Sequence, residues 1–554
     1  MDQNLDEKAV RDIEQELHTE IYPGTEVMRD VGSHHFVKSG SNSVLIPQPS
    51  DDEHDPLVCR DRHTYLFILA MGPLALAPMF GDYIEAFDSN LVDVVQFTGV
   101  AILVLGFSNF IWVPIQNCYG RRPVLILSSA ICFASSVWRA RANSYGSFMG
   151  ACVLNGLGAG PAETAQPTII ADIMFLHERG RYNTLYFFVY FGSLTAGPII
   201  SGPMAKYLGW RSFWWFNTGV LGFVTLACIF FFPETRYSRA TERVQSIAST
   251  SPFEGSTEQI EERKISPLRE NITQDLELVA APIASHPNIE SDTVITKMQT
   301  HRDPWLHCGK PSRQQWKLFQ SLESNLFHEF VFPWKLTFYP IVLFASFVVS
   351  WSASALLALN LTQSQVFAAP PYNYNSQEIG FFNFAILIGS LIGLFTAGPL
   401  SDVIAARLTM KNGGIREPEM RLLAMIPYVI IMIIGNVVTA IGYERGWNWK
   451  TIVIIGFTSA GIQVAAIPSI ASTYAVDSYK PVSGAIFVTI TVNKNVWGYG
   501  FSKFITPWIE KSGYIPPILT NMALITLWCS TGVVFWFWGK RFRGWSKGSM
   551  MHRM

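Results

Sequence analysis

Charge is what this sequence has least of. Asp, Glu, Lys and Arg make up only 15% of its 554 residues, against the roughly 25% usual in soluble domains. With 49% hydrophobic and 14% aromatic residues beside so little charge, the sequence reads as a membrane protein. The net charge of -1 provides no basic field for nucleic acid. The seven cysteines form no CxxC pair and none falls in a segment expected outside the cell, which argues against zinc sites and disulfides. No glycine-rich phosphate loop is visible, which argues against pumping driven directly by ATP. No set of nucleophile, base and orienting residue stands out, so an enzyme is not expected, nor a cofactor or metal. The first residues contain no apolar stretch of the kind a cleaved signal peptide needs.

What the sequence does have is hydrophobic runs. Six lie at about residues 64–81, 96–117, 123–141, 147–172, 183–205 and 212–232, each near the ~20 residues a helix needs to cross a bilayer. Six more follow at about 336–361, 378–401, 421–442, 451–476, 481–507 and 515–538. Between the sets, residues 233–335 are rich in Ser, Glu, Thr and Pro and read as a solvated linker. Residues 1–63 and 539–554 read as polar tails, with a short recognisable segment at Leu45-Ile-Pro-Gln-Pro49. The expected architecture is an all-α membrane protein of two six-helix bundles, 64–232 and 336–538.

Basic residues set the expected orientation. Arg121, Arg122, Arg179, Arg181, Arg407, Lys411, Arg416, Arg421, Lys480 and the tail Lys540-Arg-Phe-Arg543 fall on one side if the spans alternate. By the positive-inside rule that side, both termini and the linker are cytosolic. The two halves also echo each other, because the second span ends Val113-Pro-Ile-Gln-Asn117 and the eighth ends Gly398-Pro-Leu-Ser-Asp402. Matched halves imply duplication, and folds built this way bind substrate near the midplane, between the halves.

Two charges fall deep in the spans. Glu163 lies in the fourth and Lys494 in the eleventh, within Thr491-Val-Asn-Lys-Asn-Val-Trp497. Ionisable groups at membrane depth are costly and mark transport paths or proton relays. The plainer alternative is a structural ion pair between the halves. Asn155, Tyr190 and Trp497 are further candidates for coupling or substrate contact, while Trp210, Trp214, Trp447 and Trp449 read as interfacial anchors.

Several motifs, in order and on the expected helices, resemble those of the major facilitator superfamily, in particular its fungal twelve-span branch of drug:proton antiporter-like carriers, which includes polyamine and cation carriers. They are Tyr119-Gly-Arg-Arg-Pro123, Leu154-Asn-Gly-Leu-Gly158, Gly197-Pro198 with Ser201-Gly202, Phe232-Pro-Glu-Thr-Arg236, Asp172-Ile-Met-Phe-Leu-His-Glu-Arg-Gly180 and Gly413-Gly-Ile-Arg-Glu-Pro-Glu-Met-Arg421. The resemblance implies the major facilitator fold and a cytosolic gate built from Asn117, Gly120, Arg121, Arg122, Asp172, Arg179, Asp402 and Arg407. It also implies an antiporter motif on the fifth helix at Gly197, Pro198, Ser201 and Gly202. The family pattern has an acid where this chain has Asn117, a glycine where it has Val113, and an arginine where it has Cys152.

The function these readings imply is secondary active transport by alternating access. The expected form is proton-coupled efflux of a small organic molecule by a monomer in the plasma membrane, with protons, lipid and substrate as its partners. An importer or facilitator of a cationic nutrient such as a polyamine is the near alternative. A non-transporting nutrient sensor on a carrier fold is the distant one.

Overall fold

A computed structural model describes residues 22, 24–27, 80–236, 312–317, 326–479 and 482–546. The expected first span up to residue 79, the rest of the N-terminal tail, most of the linker and residues 547–554 lie outside the described residues.

The first half contains α1 (Phe80–Phe87), α2 (Leu91–Tyr119), α3 (Arg121–Arg141), α4 (Tyr145–Ala159), α5 (Pro161–Ile173), α6 (Leu176–Leu208) and α7 (Trp210–Phe231). The second contains α8 (Leu326–Leu336), α9 (Pro340–Phe367), α10 (Ser376–Lys411), α11 (Ile426–Arg445), α12 (Trp449–Ser478), α13 (Ser483–Ser512) and α14 (Ile515–Trp545). Among the described residues, nine helices are long and apolar enough to cross a membrane. The expected fourth span is two helices. Pro161 has no amide to continue the α4 ladder, so it opens α5 at the first helical position instead. The expected eleventh span is α13, whose Asn493-Lys-Asn495 lowers its apolar character.

The outward faces are as apolar as the inward ones. Phe216, Phe223 and Phe230 repeat every seventh residue along α7, and Phe381, Phe384, Ile388, Ile392 and Phe395 line one side of α10, all exposed. In water such stripes would be an aggregation surface, whereas in hydrocarbon they need no partner. Each half has its own packed interior. The first is centred on Tyr83, Phe97, Phe148, Phe213 and also Trp210 and Trp214, which are buried core residues and not the interfacial anchors expected from sequence; the second is centred on residues such as Phe344, Met425, Met432, Ile470 and Tyr474.

The halves meet along two seams, α6 against α10 and α12, and α2 against α13. A shared apolar cluster crosses the first seam, joining Ile169, Phe187 and Phe191 to Phe382, Ile386 and Phe457. The linker reading needs amendment at its end. Residues Leu326–Leu336 form α8, which packs on both α2 and α13. Trp334 stacks on Phe110 of α2 at 4.5 Å, and Thr489 of α13 donates to the Pro333 carbonyl at 3.0 Å. The tail reading needs amendment too, because β1 (Glu26–Val27) pairs antiparallel with β2 (Ile415–Arg416) in the loop after α10.

Candidate functional site

The break between α4 and α5 decides where Glu163 points. With Pro161 starting α5, Glu163 falls in the first turn, where the helix dipole favours an anion. Its side chain crosses the seam to α13. Lys494 is its ion-pair partner, Asn495 donates to Oε2 at 3.0 Å, and the Tyr190 hydroxyl of α6 donates to Oε1. The Lys494 ammonium also lies 3.2 Å from the Tyr190 oxygen and 4.6 Å from the centre of its ring. Tyr186 secures the backbone by donating to the Glu163 carbonyl at 3.2 Å. Glu163 is 1% exposed and Lys494 9%, so this is a desolvated, fully partnered pair with one charge from each half.

Two other candidates lie apart from this cluster. Asn155 turns into its own half and donates to Ser135 of α3 at 3.3 Å. Trp497, one turn beyond Lys494, packs on Trp351 at 4.9 Å and Phe347 at 6.3 Å. Asn495 was not singled out from sequence, although its position beside Lys494 was the available signal.

The basic face carries two charge clusters that correspond between halves. In the first half, Arg121 at the start of α3 pairs with Asp172 at the end of α5 at 2.9 Å. Gly120 makes the one-residue corner between α2 and α3 with φ +104°, a region that favours glycine. A Cβ there would stand 2.3 Å from Oε2 of Glu234. That carboxylate caps α3 by accepting from the amides of Arg121 at 2.9 Å and Arg122 at 3.0 Å. Arg122 donates to the carbonyls of Trp316 and, at 2.8 Å, Ile229. Burial and the neighbouring Arg121 cation lower the pKa of Arg236, while Asp172, Glu329 and Glu234 oppose the shift. Asn117 lacks the family's acid, yet it donates to a carboxylate, Glu329 of α8, at 2.6 Å. The Arg179 side chain lies outside the described residues.

In the second half, Arg421 takes the role expected of Arg407. It reaches Asp402 at the end of α10 at 2.6 Å and Asp477 at the end of α12 at 2.8 Å. Arg407 is exposed on the outer side of α10, because it lies five residues beyond Asp402 and the helix has turned it away. Arg543 of α14 forms a second cluster with Glu417 and, at 2.9 Å, Glu419. Glu234, Glu329, Arg421, Asp477 and Arg543 thus belong to the charge clusters of this face, although the sequence reading did not assign them to the expected gate. The signals pointing to two of them were the Phe232-Pro-Glu-Thr-Arg236 motif, which contains Glu234, and the Gly413–Arg421 motif, which ends on Arg421.

The Gly/Pro stretch of α6 lies against the other half. Gly380 of α10 approaches so closely that a Cβ there would stand 2.7 Å from the Pro198 carbonyl and 4.0 Å from the Gly202 Cα. Ser201 is buried and donates to that same Pro198 carbonyl at 3.5 Å. Small residues at such a seam let backbones approach. Nearer the basic face the seam is polar, with Asn183 donating to Thr473 at 2.9 Å and Thr184 to Ser469 at 3.2 Å.

Two matched helical halves with an ion pair sealed between them and charge clusters at one face define a multi-pass membrane transporter, not an enzyme. The sequence model of the Major Facilitator Superfamily matches residues 64–492. The chain belongs to that superfamily. It is 25% identical to an uncharacterised MFS-type transporter of Schizosaccharomyces pombe over 96% of this chain and 94% of the other. It is 22% identical to the MFS antiporter QDR3 of Candida albicans, covering 81% and 73% of the two chains. With the efflux pump vrtL of Penicillium aethiopicum it shares 22% identity over 87% and 85%.

Proposed function

We propose that the protein is a proton-coupled exporter of small organic molecules and that Glu163 is its coupling group. The observation that carries this reading is the Glu163–Lys494 pair, sealed between halves that must move for access to alternate. Protonating Glu163 removes its charge and leaves Lys494 without its counter-ion at membrane depth, at a cost of several kcal/mol. That cost favours separation of α5 from α13. Re-pairing after the proton leaves draws the halves together again, so proton uptake and release are tied to the two access states. The Gly197–Gly202 stretch packed on α10 and the similarity to relatives named as an antiporter and an efflux pump support exchange in the outward direction. The expected setting is the plasma membrane with the basic face in the cytosol.

One observation favours a cationic substrate. Lys494 already holds an ammonium between a carboxylate and the face of Tyr190, which is the environment an organic amine would seek. An amine substrate would compete with Lys494 for it. Flux in proteoliposomes with an imposed pH gradient, across cationic, neutral and anionic compounds, tests both readings. Gradient-driven flux that Glu163→Gln abolishes supports coupling, whereas gradient-driven flux unchanged in the mutant rejects it. Uptake by intact cells that rises on overexpression rejects export.

A further inference from the structure

The second half ends at the basic face in three separate pieces: the loop between α10 and α11, the end of α12 and the end of α14. A segment from the far end of the chain lies among them. Thr25 N–H donates to the Tyr22 carbonyl at 2.9 Å, closing a turn in which Gly24 has φ +82°. The sequence between is Pro23-Gly24, the pair favoured in turns that need a positive φ at their third position. Beyond the turn, Glu26 and Val27 continue as a strand opposite Arg416 and Ile415.

Each of the three pieces makes its own contact with this segment. The Thr25 hydroxyl donates to Glu417 in the loop at 2.7 Å and accepts from Arg543 of α14 at 3.1 Å. Gly24 lies on the end of α12, where a Cβ would be 2.7 Å from the Asp477 carbonyl and 3.0 Å from the Ser478 Cα. Tyr22 covers α14, with the Lys540 ammonium 5.4 Å from its ring centre and Gly544 beneath it, where a Cβ would be 2.8 Å from Cε1. The segment therefore matches the groove by backbone pairing, by one hydroxyl shared between opposite charges, and by a residue that tolerates no side chain.

We propose that the loop between α10 and α11 and the ends of α12 and α14 form a groove for an extended peptide, and that its occupant is this chain's own Tyr22–Val27 segment, bound in cis. Strand addition to an exposed backbone edge is a general mode of peptide recognition. Some 36 residues lie between Val27 and the expected first span at about residue 64, a contour of at most about 120 Å at ~3.3 Å per residue. That length permits the segment to reach the second half of its own chain. The consequence is local: the segment rests on Asp477, the partner of Arg421, and on Glu417, a partner of Arg543, and so positions both charge clusters of the second half.

Disulfide trapping in the full-length chain, in native membranes, tests the assignment. Cysteines at Val27 and Ile415, paired across β1 and β2, are close enough to bridge. The expected result is a 27–415 disulfide, identified by peptide mapping, and none between cysteines placed at Val27 and Met410. Adding Gly24→Ala should lower the yield at least about tenfold, from left-handed strain and the clash with Asp477. Thr25→Val should lower it in the same direction, through loss of the shared hydroxyl. Equal bridging to 415 and 410, or a yield indifferent to both substitutions, overturns the groove. Two differently tagged chains, one bearing each cysteine, are expected to give no disulfide when co-expressed, and a bond between them overturns binding in cis.

Discussion

The Lys494 ammonium lies 3.2 Å from the phenolic oxygen of Tyr190, which stands on the opposite half of the molecule, and 4.6 Å from its ring centre. One tyrosine therefore serves the carboxylate as donor and the cation as an aromatic face, and the pair it joins bridges the two halves.

Removing either charge alone should destabilise the protein more than removing both. Glu163→Gln and Lys494→Met each leave a buried charge without its partner, at an expected cost of about 3–5 kcal/mol. The double variant should recover most of that. Thermal unfolding of the purified variants in one detergent provides the cycle, and additive losses would mean the two residues act independently.

Tyr190→Phe should separate the two roles of that side chain. The ring remains for Lys494 while the hydroxyl bond to Glu163 is lost, a bond to a charged group worth about 1.5–3 kcal/mol. Tyr190→Ala, which removes ring and hydroxyl together, should lower the unfolding midpoint in detergent further than Tyr190→Phe does. Equal losses would mean that the ring contributes nothing to holding Lys494.

Arg421→Lys should fail where Arg407→Ala succeeds. A lysine cannot span Asp402 and Asp477 as the guanidinium does, so a loss of about 1–3 kcal/mol is expected. Arg407 is exposed, and its truncation should stay within about 0.5 kcal/mol. Comparable losses at both sites would return Arg407 to the gate.

Asn117→Asp restores the family's acid but sets it against Glu329, 2.6 Å away. Like-charge repulsion should weaken the hold of α8 on α2, lowering the unfolding midpoint and the transport rate. Adding Glu329→Gln should restore both. A single variant that behaves as the native chain would show that α8 does not depend on this contact.

Gly120→Ala should cost about 2 kcal/mol, because φ +104° suits no other residue well and a Cβ would displace the Glu234 cap. Glu234→Ala should cost about 1 kcal/mol through loss of the cap alone. A Gly120→Ala variant as stable as the native chain would remove the corner from the gate.

What the sequence determined by itself was local and periodic. Run lengths near 20 residues and the echo of Pro114-Ile-Gln-Asn117 in Pro399-Leu-Ser-Asp402 gave the spans and their duplication. The Arg121–Asp172 contact was legible because the two residues sit at neighbouring helix ends in a recurring motif. Tertiary structure decided the partners. Glu163 and Lys494 are 331 residues apart, and their meeting depends on how α5 leaves the Gly160-Pro161 break and how α2 packs on α13. Arg421 displaced Arg407 because helical rotation, not closeness in sequence, decides which side chain faces Asp402. Tyr22–Val27 reached the second half because a tail can add a strand wherever an edge and a fitting contour exist. A hydrophobic run announces itself through its own residues, but a polar contact is settled only when packing has placed both of its ends.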